Sequence, residues 1–149
     1  MKSNPFVLII LLACIFFNAC KKDDATISDV PELTSVTATP SEIKEFQDSI
    51  IFTIAYRDGN GDLGENDPDV KNLFITDNRV NVTYQYRIDQ LSPNGSDIAI
   101  ERNLNVTLKG IAITDGSVQQ DVSYSVYIVD RAGQKSNSLT TANLVIKKP

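Results

Sequence analysis

The chain has 149 residues, which is enough for one domain with a hydrophobic core but too few for two. It contains no His and no Trp, only two Cys, and its 14 basic and 19 acidic residues give a net charge of -5. This composition excludes a His-dependent catalytic triad and a His-ligated zinc or haem site. So acidic a chain is not expected to bind nucleic acid.

The first twenty residues have the three parts of an export signal. Lys2 lies in a short polar start, an apolar run extends from Phe6 to Phe17, and the small residue Ala19 precedes Cys20. This run is shorter than the roughly 20 apolar residues that a transmembrane helix needs. The pattern therefore favours a cleaved signal over a permanent membrane span.

The end of this signal resembles the lipobox of bacterial lipoproteins, in which cleavage leaves a Cys as the lipidated N-terminus. Phe17-Asn18-Ala19-Cys20 carries the resemblance, and Leu11-Leu12-Ala13-Cys14 is the alternative. Cleavage before Cys14 would leave three apolar residues directly after the anchor, which favours Cys20. The resemblance implies a signal peptide over residues 1–19 and a lipid anchor on Cys20.

The residues that follow Cys20 predict a location on the cell surface. Lys21-Lys22-Asp23-Asp24 resembles the export signal of Bacteroidetes surface lipoproteins, which implies attachment to the outer membrane with the domain facing the cell exterior. Residues 20–31 are mostly polar, which predicts a flexible tether ahead of a domain over residues 32–149. With Cys14 removed and Cys20 lipidated, that domain would have no thiol, so its stability must come from its core or from bound ions.

Beyond the tether the dominant pattern is the alternation of apolar and polar residues that is typical of half-buried strands. Four tyrosines have the inward phase of these strands, so we expect them to pack in the core and not to form a sugar-stacking platform: Tyr56, Tyr84, Tyr86 and Tyr124. One helical turn is predicted over residues 40–46, with Ser41 as its cap. Some seven short strands with no longer helix predict an all-β fold, an antiparallel two-sheet sandwich. The strong strands are predicted around 52–56, 82–88 and 122–128, and weaker ones at 33–38, 73–76, 104–108 and 139–146.

The last third of the chain resembles a known family of folds. Residues 121–137, with Tyr124, alternating Val and Ile, Asp130, Ala132-Gly133 and Ser136, are similar to the penultimate strand and following turn of bacterial immunoglobulin-like and fibronectin type III-like domains. The chain lacks the strand Trp and the intersheet disulfide of antibody domains. The resemblance implies an immunoglobulin-like sandwich and says little about activity, because this fold hosts many functions.

An acidic loop, residues 58–69, follows the strongest strand and holds five carboxylates and no base. Carboxylates at alternate positions on a Gly-rich chain can wrap one hard cation, and calcium prefers such oxygen ligands. Five residues of this loop are candidate ligands: Asp58, Asn60, Asp62, Gly64 and Asp69. The match to an EF-hand is incomplete, because Leu63 stands where the invariant Gly should be and no helices flank the loop.

A sixth candidate ligand comes from the implied fold. In an immunoglobulin-like order the loops after the second and sixth strands emerge at the same end of the sandwich. Asp58 and Asp130 continue the inward phase of these two strands, so Asp130 is expected to complete a calcium site. The alternative is a solvated turn whose Asp and Asn side chains bond their own backbone. Magnesium is less suited to so flexible a cage.

These features predict a non-enzymatic cell-surface lipoprotein, a binding or structural module with a calcium-stabilised loop. A glycan or protein ligand could bind at the loop end. Two alternatives stay open, a small accessory enzyme that acts on an extracellular polymer through loop carboxylates and a periplasm-facing spacer subunit of an envelope complex. Catalysis would need two acids at a fixed separation in a cleft, which an exposed turn does not supply.

Overall fold

The computed structural model describes residues 26–149, so the predicted signal peptide and Cys20 lie outside the described residues. Within the described range, no helix is long and apolar enough to cross a membrane. The strands are β1 (Glu32–Thr39), β2 (Glu42–Lys44), β3 (Ile50–Asp58), β4 (Leu73–Asp77), β5 (Val82–Tyr86), β6 (Ile100–Leu108), β7 (Gln119–Val122), β8 (Tyr124–Ile128), β9 (Leu139–Thr140) and β10 (Leu144–Lys147). The all-β fold predicted from the sequence is confirmed.

The strands form two layers. The first sheet has the order β1-β3-β6, and the second begins with β5-β4-β8-β9. A third hydrogen-bonded sheet, β2-β10-β7, continues this second layer along the chain, because β7 and β8 are separated only by Ser123 and β9 and β10 only by residues 141–143. All pairings are antiparallel except that of β2 with β10.

The number of strands is ten, and the predicted seven is wrong. Two long strands are each interrupted, which divides the sixth predicted strand into β7 and β8 and the seventh into β9 and β10. The helical turn predicted over residues 40–46 is also wrong, since this stretch contains β2. This short stretch gains more by burying Ile43 and pairing with β10 than an isolated turn could gain from its few internal hydrogen bonds.

The core lies between the two sheets. Strand β3 contributes Phe52 and β8 contributes Tyr124, and these rings meet edge to face with their centroids 5.0 Å apart. Both side chains are fully buried, as the alternating pattern predicts. Strand β5 lies at an edge of its sheet and is covered less well, so Tyr84 and Tyr86 are half-buried and Val82, which has the same inward phase, is 47 % exposed.

Candidate metal centre

Two loops at one end of the sandwich bring three carboxylates together. Asp58 ends β3, Asp62 follows four residues later, and Asp130 lies two residues beyond β8. One oxygen atom from each of the three carboxylates lies within 4.8 Å of the others, and we call these residues the carboxylate cluster. Because β3 and β8 belong to different sheets, the cluster spans the gap between the two layers.

The inward phase of the two strands buries Asp58 and Asp130, whereas Asp62 lies in the loop and is half-buried. Asp58 is 0 % exposed and Asp130 is 7 % exposed. One oxygen of each is fixed by the backbone, since Asp58 Oδ2 accepts a hydrogen bond from the Leu63 amide at 3.0 Å and Asp130 Oδ1 accepts one from the Gln134 amide at 2.7 Å. These bonds fix the orientation of both carboxylates.

Each carboxylate of the cluster has one buried oxygen that is unpaired. Asp58 Oδ1, Asp62 Oδ1 and Asp130 Oδ2 are buried and accept no hydrogen bond from any residue in the 26–149 range. A buried acceptor without a partner costs about 1 to 3 kcal/mol, and more when it is charged. Three such oxygens, one on each carboxylate of the cluster, are costly in the protein alone, and a cation bound by the cluster would offer them a partner.

The electrostatics of the cluster favour the uptake of positive charge. Burial is the main cause that raises the pKa of Asp58 above its usual 3.8, repulsion from Asp62 and Asp130 raises it further, and amide hydrogen bonds oppose the shift. Burial also raises the pKa of Asp130, with the amide of Gln134 opposing and the charge of Asp62 adding to it. Both carboxylates therefore hold a proton more tightly than an exposed Asp does, unless another cation replaces it.

Arg131 joins the two loops without neutralising the cluster. Its guanidinium donates to the Gly64 carbonyl at 2.9 Å and reaches the Gly61 carbonyl at 3.4 Å, and its amide donates to the Asp62 carbonyl at 3.2 Å. The salt bridges formed among the described residues do not include any member of the cluster. Arg131 thus fixes the loop backbone and leaves the three carboxylate charges unpaired.

Two glycines let the loop pack tightly against the segment 87–99. A Cβ on Gly61 would lie 2.3 Å from the Ile98 carbonyl oxygen, and one on Gly64 would lie 2.4 Å from that of Asp89. Both glycines have positive φ, 73° and 95°, which other residues adopt at a cost. The Gly-rich sequence is therefore needed for this close approach as well as for the turn around the cluster.

The six predicted ligands divide into two groups of three. Asp58, Asp62 and Asp130 lie in the cluster. The side-chain oxygen of Asn60 accepts from the Asp62 amide at 3.1 Å, and the Gly64 carbonyl accepts from Arg131. Asp69 is exposed and is not a member of the cluster.

The predicted twelve-residue spacing does not describe how the loop is built. Leu63 is fully buried, and its amide bonds back to Asp58, so the chain closes around the cluster within five residues. Residues 66–69 are exposed, and side chains in this half bond to their own loop: Glu65 Oε1 accepts from the Asn66 amide at 2.8 Å, and Asp67 Oδ1 accepts from the Asp69 amide at 2.9 Å. Residues 66–69 thus have the exposure and the self-bonded side chains that the alternative prediction expects of the loop.

Sequence reasoning missed Arg131 and the amide donors of Leu63 and Gln134. A signal for Arg131 was available, because it directly follows Asp130 and the acidic loop contains no base of its own. The amide donors leave no such signal, since every residue except proline carries one.

Comparisons of the chain with protein-family models, with curated proteins and with solved structures found no match. Its function therefore has to be inferred from the carboxylate cluster and the N-terminal sequence.

Proposed function

We propose that this chain is a non-enzymatic, lipid-anchored module of the outer cell surface whose loop end is stabilised by one calcium ion. The observation that carries the calcium site is that three carboxylates converge within 4.8 Å and each has a buried oxygen without a partner among the described residues. Oxygen ligands on a flexible loop suit calcium better than magnesium, which demands a near-ideal octahedron.

The burial of the cluster favours a structural ion over a catalytic one. A catalytic carboxylate must reach a substrate, whereas the Asp58 side chain is closed off from solvent and held by the Leu63 amide. Three protein oxygens leave several of the six to eight calcium positions to water, so we expect a dissociation constant on the order of 10⁻⁴ to 10⁻³ M, as in other extracellular modules.

Thermal unfolding tests the calcium site. Calcium at 100 times its dissociation constant should add about 2.7 kcal/mol, which raises the Tm of a domain of this size by about 10 °C relative to chelator. Asp62→Ala removes one cluster carboxylate and should abolish this shift. Identical curves for the unaltered chain in calcium and in chelator would refute the site, and an equal shift with magnesium would refute its selectivity.

The proposed lipid anchor and cell-surface location rest on the sequence from the apolar run to Asp24 and need their own test. The intact mass of the protein from membranes should show acyl chains on Cys20, and Cys20→Ala should release the protein into the soluble fraction. Protease treatment of intact cells should remove the domain if it faces the exterior. Protection of the domain from protease would instead support the periplasm-facing spacer.

A further inference from the structure

The last residues of the predicted tether lie against the loops of the metal centre. We call residues 26–30 the leading segment. The Ser28 carbonyl accepts a hydrogen bond at 2.8 Å from the amide of Gly59, the residue directly after Asp58. The Gln134 side chain reaches the Asp29 carbonyl at 3.5 Å, while the Gln134 amide holds Asp130. The leading segment therefore contacts both loops next to residues that orient cluster carboxylates.

The contact with Gly59 is too close for any other residue. A Cβ at this position would lie 2.3 Å from the Ile27 carbonyl oxygen and 2.7 Å from that of Ser28. Gly59 does not have a positive φ, so its backbone conformation alone does not require glycine. The absence of a side chain at residue 59 is needed for the leading segment to pack here.

The chain beyond the leading segment is fixed to the domain independently of the cluster. Pro31 is buried, and the Asn137 side chain accepts from the Leu33 amide at 2.7 Å and donates to the Leu33 carbonyl at 3.0 Å. Residues 27–29 have no such pair of hydrogen bonds to one side chain, and their hydrogen bonds to the domain go to the two loops of the metal centre. Their attachment consequently depends on how those loops are held.

We propose that cation binding at the carboxylate cluster and docking of the leading segment are coupled, so that the ion fastens the segment and its removal releases it. This inference rests on the proposed function. Without the ion, repulsion among Asp58, Asp62 and Asp130 pushes apart the two loops on which the segment lies. With the ion, the loops close into the surface that the segment contacts. Such coupling is reciprocal, so a docked segment also strengthens cation binding.

The coupling would set the reach of the domain from its anchor. An extended chain spans at most about 3.3 to 3.6 Å per residue, so the release of residues 28–30 adds up to about 11 Å between Cys20 and the first strand. The cation would then control how far the domain extends from the membrane.

Hydrogen exchange on the full chain in detergent, in calcium and in chelator, tests the first direction. We expect calcium to slow exchange of the Gly59 amide and of the peptide covering residues 26–33 by at least about tenfold. The peptide covering β2, which lies in the third sheet, should change much less. Equal slowing at both places would reflect general stabilisation and would overturn the proposal.

The second direction is tested by calcium titration of Gly59→Ala, which displaces the leading segment and alters no carboxylate. We expect the dissociation constant to rise by at least about fivefold. Gly110→Ala is the matched control, since Gly110 has a φ of 71° but open space around it. It should lower stability without changing calcium affinity.

The outcomes separate this inference from the proposed function. If the unaltered chain does not bind calcium, both fail. If it binds calcium and Asp62→Ala weakens binding, but Gly59→Ala binds as tightly as the unaltered chain, only the coupling fails. If Gly59→Ala does not fold, the exchange comparison in the unaltered chain decides.

Discussion

Asp58→Asn removes one of the three charges in the carboxylate cluster and keeps the shape of the side chain. The asparagine oxygen can still accept from the Leu63 amide, and its NH₂ group then faces the remaining carboxylates as a donor. In chelator this change replaces repulsion by attraction at a fully buried position. We therefore expect the variant to be more stable than the unaltered protein when no divalent cation is present.

The size of this effect follows from the geometry. At an effective dielectric constant of 20, two unit charges 4.8 Å apart repel by about 3.5 kcal/mol. Protonation limits the cost, because a carboxyl with an ordinary pKa of 3.8 takes up a proton at pH 7 once its ionised form is penalised by more than about 4 kcal/mol. After such relaxation we expect a gain of about 1 to 2 kcal/mol, or about 4 to 8 °C in Tm.

In calcium the order of stability should reverse. The unaltered protein gains about 10 °C from the ion at 100 times its dissociation constant, whereas Asp58→Asn loses most of this gain because the charge that attracts the ion is smaller. Calorimetry of both proteins in calcium and in chelator measures the crossing. Asp69→Asn is the control, since Asp69 is acidic, exposed and outside the cluster, and its calcium shift should equal that of the unaltered protein. If Asp58→Asn is the less stable protein in chelator as well, the assignment of unrelieved repulsion to the cluster is wrong.

Three further outcomes are expected. In chelator, the free energy of unfolding should fall as pH rises from about 4 through the raised pKa values of Asp58 and Asp130, because the folded state keeps protons that the unfolded state releases. Urea unfolding at a series of pH values in chelator should show this fall, and a flat profile would contradict it. Tyr124→Phe removes a buried hydroxyl that has no partner among the described residues. The free energy of unfolding measured in urea should therefore stay the same or rise by up to about 1 kcal/mol, and a clear loss would mean that the hydroxyl is bonded. Asp77→Ala leaves the largely buried Arg79 guanidinium without the carboxylate that lies 2.6 Å from it, and should lower the free energy of unfolding in urea by about 3 to 5 kcal/mol. Glu32→Ala breaks an exposed pair with Arg57 and should lower it by less than about 1 kcal/mol. Equal losses would contradict the importance of burial.

Strand phase was the most informative signal in this sequence. The alternation that predicted Phe52 and Tyr124 as core residues also extended to Asp58 and Asp130, because an inward phase continues past the last apolar residue of a strand. It failed in part at Val82, where the phase is right but the strand lies at an edge and lacks cover. Phase specifies the face of a strand, and the neighbouring strands decide how much of that face is buried.

The acidic loop could be only half predicted. Residue type and spacing selected Asp58, Asp62 and Asp69 as equals, yet the first two enter the cluster and the third is exposed. The difference comes from the Leu63 amide bond and from Arg131, which close the loop early. Docking of residues 27–29 was not foreseen either, because it depends on backbone carbonyls, and a polar composition conveys nothing about them.

The cluster lies at the ends of β3 and β8, which the sequence predicts to be the second and sixth strands of an immunoglobulin-like order. Antibody domains join those two strands through a disulfide. A disulfide restricts the unfolded chain and needs an oxidising compartment to form. Under the proposed function, an ion at Asp58 and Asp130 would be a cross-link that acts only on the folded protein. The chain would therefore stay easy to unfold where free calcium is scarce, and the same two sheets would be locked together at a destination where calcium is plentiful, with no change in covalent structure.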